Sequence, residues 1–227
     1  MTILLGFDTA TPATAVALLR GDEAFEARHD PAPGERPGHA TRLLALIAEV
    51  MERGGVGWSE IDRLAVGVGP GSFTGLRIGL ASARSLAQAR GLPLVGVSSL
   101  EALAAAPASS GCTRVAAVID ARRREVFAAV WEGERQTLAP AALEPTALAD
   151  RLRAAGGATL AVGDGAVRFR EQLEPAGATI PADGSPLHRL SAAWICRLGA
   201  RAEPAGPGTV LPSYLREPDA KQRPRGE

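Results

Sequence analysis

Glycines at 67, 69 and 71, with Pro70 and Ser72, join an apolar run at residues 64–68 to an amphipathic run that reaches residue 90. A glycine turn feeding a helix presents free backbone N–H groups and the positive end of the helix dipole, which together bind phosphate. It is equally the turn required when the next helix packs closely on a sheet. No lysine follows the glycines as a P-loop requires, and the spacing does not fit G-x-G-x-x-G, so packing is the favoured reading. Asp8, Thr9 and Thr11 at the first predicted hairpin could face phosphates or a hydrated cation, or close an Asx-turn. Gly163-Asp164-Gly165 is a second turn that could approach a ligand. Asp8, Thr9, Gly163 and Asp164 are therefore the candidate cofactor-binding residues. His39 opens a helix, but Leu43 stands four residues on, so no i, i+4 pair of metal ligands exists and no metal site is expected. Ser72 lacks the G-x-S-x-G elbow, and no catalytic residue is identified. Arg122, Arg123 and Arg124 at a predicted hairpin tip could touch RNA phosphate or an acidic partner, or stand solvated.

The elements that would position these groups follow from periodicity. Strands at 3–7, 13–19 and about 24–28 read as an antiparallel meander, followed by a proline-rich loop at 30–38 and a helix at 39–53. On that helix Leu43, Leu44, Leu46, Ile47, Val50 and Met51 cover roughly 160°, wider than the ~100° stripe that seats a helix on one core, so part of the face is free for a partner. A strand at 64–68, a helix at 72–90 and a strand at 92–97 form a β-α-β unit, with Ser72 as N-cap and Gly91 as left-handed C-cap. Gly75, Gly79, Ser82 and Leu86 share one narrow helix face, while Arg77, Arg84 and Gln88 lie opposite. A short helix at 98–106 and a small-residue linker at 107–111 suggest a boundary, giving domains 1–106 and 107–216, the last helix free to pack back on the first. The second half offers strands at 114–119 and 125–131, a helix at 145–155, a strand at 159–162, a helix at 191–201 and an extended segment at 211–216. The polar tail 217–227 is expected to be disordered.

With 227 residues, 25 basic against 25 acidic side chains and 46% hydrophobic residues, the chain carries an ordinary core and no global field for nucleic acid or an anionic membrane. Any RNA role needs a local patch or a partner. Cys112 and Cys196 match no metal-ligand spacing and suit a reducing compartment. No apolar run approaches a membrane span and no secretory leader is evident, so a cytoplasmic protein without membrane contact is expected.

Three segments, ILLGFDTATPATAVALL, GVGPGSFTGLRIGLASARSLAQARGLPLVGVSSLEALA and AVIDARRREVFAAVW, with a closing PSYLRE, resemble the TsaB (YeaZ) family of bacterial tRNA threonylcarbamoyladenosine biosynthesis proteins. The resemblance spans residues 3–131, and its central segment is the most diagnostic. It implies an α/β actin-like, Hsp70-like fold (ASKHA, ribonuclease H-like) of two β-meander-plus-helix domains. It also implies an accessory role beside a TsaD-type catalytic subunit that transfers threonylcarbamoyl from its adenylate to N6 of the adenosine 3′ of the anticodon. A TsaE-type ATPase joins that assembly, and tRNA is met indirectly through it. The catalytic relative carries an H-x-x-x-H metal motif on the helix matching that at His39; Leu43 at the second position implies a non-catalytic chain. The resemblance places the partner interface on the helices at 39–53 and 72–90, where Leu43, Ile47, Phe73, Leu76, Arg77, Leu80 and Arg84 supply its materials. The isolated chain is expected to bind no cofactor and is free to homodimerise; ATP or ADP at the subunit junction stays open. The rival reading is an actin-like ATPase or small-molecule kinase using Asp8, Thr9 and the 163–165 turn. A third is an RNA-binding module centred on Arg122, Arg123 and Arg124.

Overall fold

β1 (Ile3–Asp8) pairs antiparallel with β2 (Thr14–Arg20), and β2 with β3 (Glu23–His29), so the expected meander forms. β4 (Arg63–Gly69) then joins β1 in parallel and β5 (Leu94–Ser98) joins β4, giving the order β3-β2-β1-β4-β5. The second half repeats that plan with β6 (Arg114–Arg122), β7 (Glu125–Glu132), β8 (Arg135–Leu143), β9 (Thr159–Val162) and β10 (Ala178–Thr179), ordered β8-β7-β6-β9-β10. This computed structural model describes residues 2–32, 34–109 and 111–216; the tail 217–227, and the disorder expected of it, lie outside the described residues.

Alternation at period two gives each sheet two buried faces. Leu5, Phe7, Leu18, Leu64 and Val66 point toward α1 (His39–Gly54) and α2 (Phe73–Arg90). Leu4, Ala17, Ala65 and Val97 point the other way, toward α7 (Ala192–Arg201). In the second sheet Val115, Ala117 and Ile119 pack on α3 (Ser99–Ser109), while Val118, Val126 and Ala128 pack on α4 (Pro145–Ala155) and the short α5 (Asp164–Arg168) and α6 (Arg170–Leu173). The central helices are exchanged: α3 follows the first sheet yet covers the second, and α7 follows the second yet covers the first. The two touch each other between the sheets.

Several elements differ from the sequence reading for identifiable reasons. β8 was not anticipated because Pro140 interrupts its pattern; as the edge strand it tolerates a residue with no N–H to donate. β10 is two residues long and has no period to read. The turn at 163–165 is the start of α5, and α3 runs through Pro107 into the predicted linker.

α2 is capped as its sequence predicts: Ser72 Oγ accepts the Gly75 N–H at 3.3 Å, and Gly91 closes the helix at φ 64°. Its glycines set its height above the sheet. A Cβ at Gly75 would run into the Thr9 carbonyl, one at Gly79 into Thr9 Oγ1, and one at Gly71 into the Ala10 carbonyl. Overpacking against backbone costs about 1–3 kcal/mol. Gly75→Ala is therefore expected to lower stability by that amount in thermal or urea denaturation, while Gly184→Ala, with open space around it, leaves it unchanged. Equal stability of the two variants would contradict this packing.

Candidate functional site

β1 ends at Asp8, the carboxylate with the most obvious chemical potential, and the fold seals it. Asp8 is 1% exposed. Its Oδ2 accepts the Ser99 hydroxyl at 2.6 Å and its Oδ1 the Ala10 N–H at 2.7 Å. A Cβ at Gly67 would occupy the place of Oδ2. Burial pushes the Asp8 pKa above its ordinary 3.8, and the two hydrogen bonds only partly oppose this. Thr9 is also buried and donates its hydroxyl to the Gly75 carbonyl at 2.8 Å. Thr9 thus helps seat α2, whereas Asp8 is held between β4 and the start of α3.

What does open between the sheets is a cleft of about 540 Å³, walled by Thr11, Ser72, Asp120, Arg122, Asp164 and Tyr214 among others. Asp164 is the one predicted cofactor-binding residue that reaches it; Gly163 lines a smaller neighbouring recess. Asp164 Oδ1 accepts the Asp120 N–H at 3.0 Å, and packing together with the nearby Asp120 charge raises its pKa. Asp120 in turn holds two guanidinium groups, Arg168 at 2.8 Å and Arg122 at 3.4 Å. Gly163 at φ 107° would drive a Cβ into the Val118 carbonyl, so its glycine is explained by packing. Among the described residues no group of three or more His, Cys, Asp or Glu side chains is placed to hold a metal ion.

His39, where the resembling family's catalytic relative begins its metal motif, is 3% exposed. Its Nδ1 lies 2.9 Å from Thr14 Oγ1, while Nε2 has no partner. Burial and the nearby His29 hold its pKa below the ordinary 6.5. Leu43 is in the core. The position one helical turn after His39 is thus filled by an apolar side chain.

The predicted partner strip is largely an inner face. Leu43, Ile47, Leu76 and Leu80 are buried at 1–5% exposure, within the packing of α1 and α2 on the first sheet. The stripe of α2 that meets the sheet comprises Gly75, Leu76, Gly79, Leu80, Ala83 and Ala87; Ser82 and Leu86, expected to share the face of Gly75 and Gly79, are half-buried at its side. Arg84 donates to the Val210 carbonyl at 2.6 Å and so binds its own chain. Phe73 and Arg77 remain at the surface, the guanidinium 3.8 Å above the ring. The outward surface of the two helices instead carries Leu44, 61% exposed, with Ala48, Ile78 and Ala81.

The extended segment expected at 211–216 is the end of a longer C-terminal strap, residues 205–216, whose ties to the two sheets no sequence pattern revealed. The Ala205 N–H bonds Leu94 O at 2.9 Å and the Ser213 N–H bonds Val68 O at 2.7 Å, fixing it to the first sheet. Tyr214 packs on Phe73 with centroids 5.2 Å apart. Arg216 then crosses to the second sheet, pairing with Glu125 and donating to Ala121 O at 3.0 Å. The strap thus ties both sheets at the rim of the cleft.

Against this geometry, the family model described as "TsaD: tRNA N6-adenosine threonylcarbamoyltransferase" matches residues 35–169. The tRNA threonylcarbamoyladenosine biosynthesis protein TsaB of Escherichia coli (strain K12) is 38% identical over 171 residues, 71% of each chain. The solved structure of YeaZ from Pseudomonas aeruginosa superposes with a TM-score of 0.79 at 33% identity, covering 95% of this chain and all of that one (100%). A ROK hexokinase from Thermus thermophilus, 15% identical with a TM-score of 0.51 over 86% of this chain and 98% of that one, shares the actin-like fold.

The sealed Asp8 makes a prediction with a definite sign. A carboxyl whose folded pKa is raised lends stability while protonated and loses it as pH rises past the ordinary value of 3.8. Asp8→Asn keeps an acceptor for Ala10 N–H and a partner for Ser99, and removes that loss. Urea denaturation from pH 4 to 8 should find the variant at least as stable as wild type at pH 7, with its advantage shrinking toward pH 4. A variant markedly less stable at pH 7 would contradict a carboxyl whose burial costs stability when it ionises.

Proposed function

The chain belongs to the TsaB (YeaZ) family of tRNA threonylcarbamoyladenosine biosynthesis proteins, and from that premise we propose that it is the accessory subunit of a threonylcarbamoyl transferase, acting in the cytoplasm. Its partner is a TsaD-type catalytic subunit, which it binds and activates for transfer to N6 of the adenosine 3′ of the anticodon; a TsaE-type ATPase completes the assembly.

The observation that carries this reading is the pairing of a disarmed centre with an unsatisfied surface. Asp8 is closed under Ser99, and the residue one helical turn after His39 is the core side chain Leu43 rather than a second metal ligand. The helices α1 and α2 meanwhile lie side by side on one face of the first sheet and turn Leu44, Ala48, Ile78 and Ala81 outward. Small and apolar side chains on two adjacent helices suit packing against another helical pair. The same surface accounts for a homodimer when the partner is absent. The isolated chain holds no nucleotide in this reading, since Asp8 and Thr9 are committed to packing; ATP or ADP at the subunit junction requires residues of the partner as well.

Substitutions separate the outward face from the inward one. Leu44→Glu with Ile78→Arg should abolish co-purification with the TsaD-type subunit and leave the melting temperature of the isolated chain within experimental error. Leu80→Glu, which puts a charge among core side chains at 5% exposure, should unfold the chain instead. Full association of the outward double variant would sink this interface.

A further inference from the structure

The hairpin joining β6 to β7 places Arg123 and Arg124 in a two-residue loop, directly after Arg122 at the end of β6. All three have positive φ, 64°, 52° and 63° respectively. Two-residue hairpin loops of this handedness select Asn-Gly or a similar pair, because a Cβ in the left-handed region crowds the following carbonyl. Three successive long side chains in that conformation are a departure from what folding alone favours, and such departures gather at functional sites.

The charges are arranged rather than scattered. Asp120 accepts the Arg122 N–H at 2.9 Å and also pairs with both the Arg122 and Arg168 guanidinium groups. One carboxylate shared by two guanidiniums anchors the base of the hairpin and leaves the patch positive, on a chain whose formal net charge is zero. Arg122, Arg123 and Arg124 are exposed. Arg122 and Arg123 border the cleft, Arg124 stands beyond its lining, and Tyr214, 41% exposed, borders the same cleft. Guanidinium forks meet phosphate oxygens two at a time, and an exposed ring beside them accepts an unstacked base. A single nucleotide in the cleft would leave Arg124 unused; a polyanion tracking along its rim would not.

We propose that this hairpin is a direct RNA-contacting surface, gripping the phosphate backbone of the tRNA on which the assembly acts. The inference rests on the proposed function only for the identity of the RNA. Phosphate contacts of this kind position a substrate without reading its sequence.

The test is fluorescence anisotropy of an unmodified tRNA transcript against the complex of this chain with its TsaD-type subunit, from 50 to 200 mM salt. Wild type is compared with Arg123→Asn/Arg124→Gly, a variant whose residues suit the turn, so it should melt at a higher temperature than wild type. RNA affinity at 50 mM salt is expected to fall about tenfold or more, and the slope of log K against log[salt] to become shallower by roughly 1.4 to 1.8, the loss of two phosphate contacts. Unchanged affinity and slope would overturn the proposal. So would loss of partner association by the variant, which would make the hairpin a protein contact. Full displacement of the transcript by ATP at matched ionic strength would assign the arginines to a free nucleotide and overturn it too. Should the wild-type chain form no complex, the proposed function fails separately, and the same titration on the chain alone still decides whether the hairpin binds RNA.

Discussion

The close seating of α2 on the turn after β1 is the constraint on which the rest of this structure depends. Gly71 in the preceding turn and Gly75 and Gly79 in the helix bring backbone against Ala10 and Thr9 with no room for a Cβ, and Thr9 donates a hydrogen bond to the Gly75 carbonyl. That contact seats α2 on the turn and fixes which of its surfaces faces outward, while Ser99 of α3 closes over Asp8 from the other side. One packing decision therefore fills the space under the turn and orients the outward helical surface.

The two halves have the same sheet order and exchange their central helices, so neither sheet is covered without residues from the other half of the chain. The strap adds a second tie on the outside. It bonds to Leu94 and Val68 in the first sheet and ends on Glu125 and Ala121 O in the second. A cleft held on both sides this way presents its rim, with the arginine hairpin and Tyr214, as a fixed surface.

The sequence was most legible where local chemistry decides structure. Ser72 and Gly91 bracket α2 because a cap and a left-handed stop leave few alternatives, and the first meander follows from short apolar runs in β1 and β2 separated by turn residues. Legibility failed where distance or sheet position decided. Ser99 reaches Asp8 across 91 residues, and Arg84 reaches Val210 across 126; no spacing rule connects them. β8 hid behind Pro140, acceptable only because the strand is an edge. The strip expected beside the Gly75 and Gly79 face includes Leu76 and Leu80, which lie inside the stripe that meets the sheet; to which side of the glycines that stripe extends is set by tertiary packing. The family resemblance named the function class, while the physical reading of single residues determined which of them are free to serve it.

The central claim is that this chain enables chemistry it does not itself perform. The most direct measurement is reconstituted tRNA threonylcarbamoylation with the TsaD-type subunit, the TsaE-type ATPase, ATP and threonylcarbamoyl-AMP, with and without this chain. The account predicts negligible modified adenosine without the chain, full activity on its addition, and unchanged activity when Asp8→Asn replaces wild type. Equal activity without the chain, or modification by the chain alone that is lost in Asp8→Asn, would contradict it.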